Sequence, residues 1–174
     1  MARSYCPRDL LRSIHRAEVD SLKEMIADGA DINAQADGWS PAMQASGDGQ
    51  IKCLRVLISA GADLDAPGER GMTPLMVAAM EDNEPCLAAL LKAGVDLEKK
   101  DDRGHTAAWV SAAYGTTECL ARLLKAGANL DGLLAGEAHA SCAPAVEAER
   151  ARREKIEVAK ASPKTKLVVK SPRI

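Results

Sequence analysis

The chain has 174 residues, a net charge of −2, and 47% apolar residues, enough for one domain with a continuous core. No run approaches the roughly eighteen consecutive apolar residues that a membrane-spanning helix needs, which excludes that class. There is no Phe, and the only aromatics are Tyr5, Trp39, Trp109 and Tyr114, so the core must be built from Leu, Ile, Val, Ala and Met.

Met1 to Pro7 has no apolar h-region, so no secretory signal is expected. Leu10-Leu11-Arg12-Ser13-Ile14 predicts a first helix. Val19 to Ile26 predicts a second, with Leu22, Met25 and Ile26 in the buried register. Arg12, Arg16 and Lys23 suit an end unit with one face in water. Ser40-Pro41-Ala42-Met43 then opens a helix: Ser40 can accept an orphan amide as N-cap, and Pro41 fits the first position, where no N–H is needed. Cys53 to Ile58 predicts its partner helix. The same pair recurs at Thr73-Pro74-Leu75-Met76 with Cys86 to Leu91. It recurs again at Thr106-Ala107-Ala108-Trp109 with Cys119 to Leu124, where Ala107 replaces the proline. Each second helix runs into a glycine, Gly29, Gly61, Gly94 and Gly127, at spacings of 32, 33 and 33 residues. Glycine can take the left-handed conformation after a last helical turn. Ala66 to Gly71 and Asp101 to Gly104 carry the Asp, Gly and Pro of turns. A period in this range means stacked units, because one such unit cannot bury its own apolar face.

With its Ser/Thr-Pro starts, its Gly-Ala-Asp ends (Gly61-Ala62-Asp63) and its period, the chain resembles the ankyrin-repeat family over roughly three quarters of its length. The resemblance implies an all-α solenoid of about four helix-turn-helix repeats with β-turn fingers. The repeats are placed near residues 8–34, 35–66, 67–99 and 100–130, with the outer pair atypical. Where that family carries a His after Thr-Pro-Leu, this chain has Met43, Met76 and Trp109. The turns are therefore expected to be held by apolar packing, with Trp109 partly buried between them.

The resemblance also implies a non-enzymatic protein–protein interaction module. It would bind a partner protein through its concave face to scaffold, recruit or inhibit it. Mapped by repeat position, that face carries Asp37, Trp39, Arg70, Met72, Arg103 and His105 on the turns, and Asp48, Glu81 and Tyr114 at the first-helix ends. Aromatics and arginine are the usual interface anchors. Trp39 is the sharpest of them; the alternative is that it folds back onto Met72 or the neighbouring turn and packs.

Catalysis, cofactors and metals find no support. His15, His105 and His139 are far apart, and no zinc spacing or phosphate-cradling glycine loop occurs. His139-Ala140-Ser141-Cys142 is the only local His/Cys group. Cys53, Cys86 and Cys119 share one repeat position and read as a ladder of buried thiols, too far apart for disulfides. Five cysteines in all, an odd number with no CxxC spacing, fit a reducing cytoplasmic compartment.

After residue 130 a Gly/Ala linker is expected over 131–144, then a basic helical extension and tail over 145–174. Residues 145–161 read as a mostly exposed helix with Glu149–Arg153 support and one weak docking face. A β-prone run follows between Ser162-Pro163 and Ser171-Pro172. From Ala145 on there are nine Lys/Arg against four Asp/Glu, a charge of +5 that leaves −7 for residues 1–144. A basic tail on an acidic stack admits three other readings: contact with nucleic acid, contact with an acidic protein, and self-association through 145–161 as a homo-oligomer.

Overall fold

A computed structural model describes residues 5–129 and 139–161, with side chains to Glu157. Residues 131–138 of the linker expected over 131–144, and the β-prone run after Ala161, lie outside the described residues.

Nine helices are described: α1 Pro7–His15, α2 Val19–Ala27, α3 Pro41–Gly47, α4 Ile51–Ser59, α5 Pro74–Met80, α6 Glu84–Ala93, α7 Ala107–Tyr114, α8 Thr117–Ala126 and α9 Ala143–Ala161. They stack in two rows. The first row is α1, α3, α5 and α7; the second is α2, α4, α6 and α8, with α9 laid on α8. This is the expected four-unit all-α solenoid.

The local signals act as their chemistry dictates. Ser40, Thr73 and Thr106 each accept the N3 amide, at 3.2, 3.4 and 3.3 Å from Met43, Met76 and Trp109 N. The cap survives at Thr106 although Ala107 replaces proline, because the hydroxyl and not the ring satisfies the donor. α1 lacks a Thr-Pro start and uses a substitute: Pro7 stands at its first position, and the Cys6 amide donates to Asp9 Oδ2 at 3.0 Å. The four repeat glycines all hold positive φ, Gly61 at 81° and Gly127 at 104° among them.

The seam between the rows is aliphatic. Leu54, Leu87 and Leu120 occupy one repeat position, Leu57, Leu90 and Leu123 another, and all six are fully buried. Cys53, Cys86 and Cys119 lie beside them as free, buried thiols. Burial pushes the Cys86 thiol up to about 11 and Cys119 to about 12, so both remain protonated hydrophobes at neutral pH. With Cys142 also buried and Cys6 exposed, an aromatic disulfide reagent is expected to titrate one thiol quickly in the native protein and five after unfolding. Two or more fast thiols would show that the second-row helices do not pack as described.

A ladder of side-chain acceptors ties the unit edges. Asn33 Oδ1 accepts from Asp63 N at 2.8 Å, Asp65 Oδ1 from Asp96 N at 3.0 Å, and Glu98 Oε1 from Asn129 N at 2.7 Å. Each acceptor lies two residues past its own repeat Asp and meets the next unit.

The last helix completes the second row. It begins at Ala143, two residues before the expected start, with Pro144 in a first turn that needs no N–H there. Cys142 Sγ lies 3.8 Å from Ser111 O, as Cys86 Sγ lies 3.6 Å from Ala45 O two units earlier. Val146, four residues on, is buried like Leu90 and Leu123. α9 thus stands where the second helix of a further unit would, and covers the end of the stack. Arg153 fixes it: Nη2 donates to Leu124 O at 3.2 Å and Ala128 O at 3.0 Å, while Nε donates to Glu149 Oε1 at 3.0 Å.

Candidate functional site

Three turns project from the starts of α3, α5 and α7, and each is built from its own sequence. In the first, Ala36 and Trp39 exchange backbone hydrogen bonds at 3.0 and 2.9 Å around Asp37 and Gly38, with φ of 53° and 77°. Two successive positive φ values define a tight type I′ turn, for which Asp-Gly is a favoured pair. In the second, Gly68 N donates to Met72 O at 2.8 Å, and Arg70 takes φ 58°. A left-handed arginine costs roughly 1 kcal/mol or more relative to a glycine there. In the third, Asp101 accepts from Arg103 N at 2.9 Å and from His105 N at 2.7 Å, and its Oδ2 lies 3.3 Å from His105 Nδ1.

The third turn corrects one expectation. Apolar packing was expected to hold the turns in place of the missing family His. Here a carboxylate and His105 do so instead, one position before the helix cap rather than inside the helix. The His105 and Trp109 rings stack at 3.4 Å between centroids and 4° between planes. Trp109 is partly buried in that stack, as expected.

The turns are joined edge to edge. Glu69 N donates to Gly38 O at 2.7 Å and Asp102 N to Arg70 O at 3.1 Å, and Gln35 Nε2 reaches Pro67 O at 2.9 Å. This edge and the first helix row enclose a groove of about 650 Å³. Met43, Met72, Val77, Met80, Val110 and Ala113 form its apolar floor. Glu69, Arg70, Asp101, Asp102 and Arg103 form the turn-side rim. Trp39, His105, Trp109 and Tyr114 complete the lining. A second groove of about 370 Å³ adjoins it through Trp39 and carries Leu11, Ala36, Asp37, Gln44, Gly47, Asp48 and Glu81.

All nine residues placed on this face from the sequence line one groove or the other. Trp39, Arg70, Met72, Arg103, His105 and Tyr114 are in the larger; Asp37, Asp48, Glu81 and again Trp39 are in the smaller. Tyr114 is 61% exposed. Trp39 is only half-exposed, with its ring over Gly47, where a Cβ would sit 3.4 Å from Cζ3. It is part wall and part accessible surface. Sequence reasoning missed the floor residues Met43, Val77 and Val110, which read as plain core. It also missed α1, whose Arg8 pairs with Asp37 and His15 Nδ1 with Asp48 Oδ2, both at 3.0 Å. The one available signal was the repeat register, which sets α1 beside α3.

The local His/Cys group is structural. His139 Nδ1 bonds Ser141 Oγ at 2.8 Å, not Cys142, and His139 N donates to Ala112 O at 2.8 Å. Burial pushes the Cys142 thiol up, the opposite of what a nucleophile needs. Among the described residues no cluster of three His, Cys, Asp or Glu is placed to hold a metal. No described helix is long and apolar enough to cross a membrane.

Residues 10–101, more than half of the chain, match the family model for ankyrin repeats, in three copies. No curated protein matches the chain.

Proposed function

The chain belongs to the ankyrin-repeat family, whose repeats are protein–protein interaction modules, and from that premise we propose that it seats one partner protein in the groove between its turns and first helices. It does so without chemistry of its own, to scaffold, recruit or inhibit that partner. The observation that carries the reading is the groove itself: about 650 Å³ with an apolar floor, and with Trp39 and Tyr114 among its lining residues. A preformed site on rigid stacked helices loses little ordering entropy on binding. Arg70 adds support: an arginine kept in a left-handed turn, with a side chain 76% exposed and a long 3.8 Å approach to Glu69, gives up stability where binding residues cluster. Five free cysteines favour a reducing compartment, the cytoplasm, for this work.

Two of the basic residues that the described part of the extension carries are already occupied within the chain. Arg152 and Arg153 are engaged with Glu149, and Arg153 also caps α8.

Tyr114→Ala is the clean test, because so exposed a side chain contributes little to folding. Partner affinity, measured by calorimetry once a partner is in hand, is expected to fall about thirtyfold, as for an interface hot spot of about 2 kcal/mol. The melting temperature should stay within about a degree. Equal affinity for Tyr114→Ala and wild type would remove the groove from the interface.

A further inference from the structure

The chemistry of the occupant follows from charges on either side of Trp39. The turn-side rim of the larger groove alternates in sign: Glu69 precedes Arg70, and Asp102 precedes Arg103. The helix-end side does not alternate. Asp48 ends α3 and Glu81 ends α5, and neither helix has a basic residue in its last turn. Helix C-terminal ends favour cations, so two carboxylates there are the wrong sign for stability. Asp48 is compensated from within the chain, by His15 at 3.0 Å and Gln44 at 2.7 Å. Glu81 is exposed, and its carboxylate has no hydrogen-bond or ion-pair partner among the described residues; its backbone N–H donates to Val77 O. Its groove contains Asp37, Asp48 and the Trp39 ring, and no Lys or Arg lines it.

Next to this acidic pocket lies the methionine floor. Met43, Met72 and Met80 share it, and unbranched thioethers adapt to a range of apolar shapes. Trp39 lines both grooves, so an apolar group on the floor and a charged group at the helix ends can belong to neighbouring residues of one segment.

We propose, building on the groove reading above, that the occupant is a protein segment in which a Leu-, Met- or Phe-sized side chain is flanked by a lysine or arginine. The apolar side chain lies on the methionine floor. The cation sits between Glu81 and Asp48, against the face of Trp39, where an aromatic ring adds to the attraction. A segment with a carboxylate in that place would meet the Glu81 carboxylate directly, beside Asp48 and Asp37, whose partners His15 and Arg8 are already engaged within the chain, which disfavours acidic partners.

The test is selection of a random twelve-residue peptide library on the full-length protein, followed by affinity measurement on the enriched peptides. Enrichment of Lys or Arg within two or three positions of a large apolar residue is expected. For such a peptide, Glu81→Gln should cost about tenfold in affinity, as for a charge-assisted contact. It should cost nothing for the same peptide with its cation replaced by glutamine. The melting temperature should hold or rise, since a carboxylate leaves a helix C-terminal end. A merely structural Glu81 would lower it. Undiminished binding of the cationic peptide to Glu81→Gln overturns the assignment. Enriched peptides that need Trp39 and Tyr114 but are neutral or acidic also overturn it, while the groove reading stands. Peptides that bind Tyr114→Ala and Trp39→Ala as well as wild type overturn the groove reading itself. A full chain that enriches nothing, because its own residues or a second copy already fill the groove, overturns the partner assignment.

Discussion

Leu87→Ala is expected to lower the unfolding free energy by about 3–4 kcal/mol, within the range for a fully buried leucine truncated in a core. Leu87 is 0% exposed and lies in α6, which packs on α4 before it and α8 after it. Its repeat equivalents are Leu54 and Leu120, so the truncation opens a cavity in the middle of the aliphatic seam. In a stack stabilised by nearest-neighbour contacts, damage at the centre weakens two interfaces at once. For a chain of this size, 1 kcal/mol moves the melting temperature by about 2–4 °C. Helical signal followed through a thermal melt should therefore fall by roughly 6–16 °C. A shift under about 2 °C would mean that the two rows do not share one continuous core.

Gly68→Ala is the second large effect, and it reaches the groove as well as stability. A Cβ at Gly68 would fall closer to Met43 Sδ and to Gly38 O than such atoms come in real structures. The thioether can rotate away. The Gly38 carbonyl cannot, because it belongs to the first turn and accepts Glu69 N at 2.7 Å. The second turn must move off the first, at a cost of about 1–3 kcal/mol for overpacking. The displacement passes to Met43 on the groove floor and to Trp39 one residue from Gly38. Both a lower melting temperature and a shifted tryptophan emission are expected. Gly61→Ala makes the contrast: nothing lies within 4 Å of its added Cβ, so only its left-handed φ of 81° is penalised, and the emission should not move. Unchanged emission and stability in Gly68→Ala would contradict the edge-to-edge joining of the turns.

The fold was legible because the residues that build it act locally and repeat. Ser40, Thr73 and Thr106 cap the helices that follow them, and Gly29, Gly61, Gly94 and Gly127 stop the helices before them, whatever lies elsewhere in the chain. The face was legible for the same reason, since register alone assigns Trp39, Met72 and His105 to equivalent turn positions. What escaped was contact between side chains that register does not fix. Arg8 with Asp37 and His15 with Asp48 join residues 29 and 33 apart, and only the stacking of α1 on α3 brings them together. The His105–Trp109 stack spans a turn and a helix start, so helical spacing does not foretell it. Val146 was legible as part of the thin docking stripe of this helix and is buried, whereas Cys142 escaped for another reason. Cys142 follows Cys119 by 23 residues instead of 33, so the end-covering role of α9 falls outside the period. Met43 read as core because it is core, 1% exposed, and still lines the groove floor.

The central claim is that a partner sits on the grooved face and not on the second helix row. A photo-reactive phenylalanine placed at Tyr114, and in a separate preparation at Arg55 on the second row, tests it directly in extract from the native source. A single strong adduct from position 114, absent at position 55 and lost when Trp39 is also changed to Ala, is the expected result. An adduct from position 55 with none from position 114 would contradict the account.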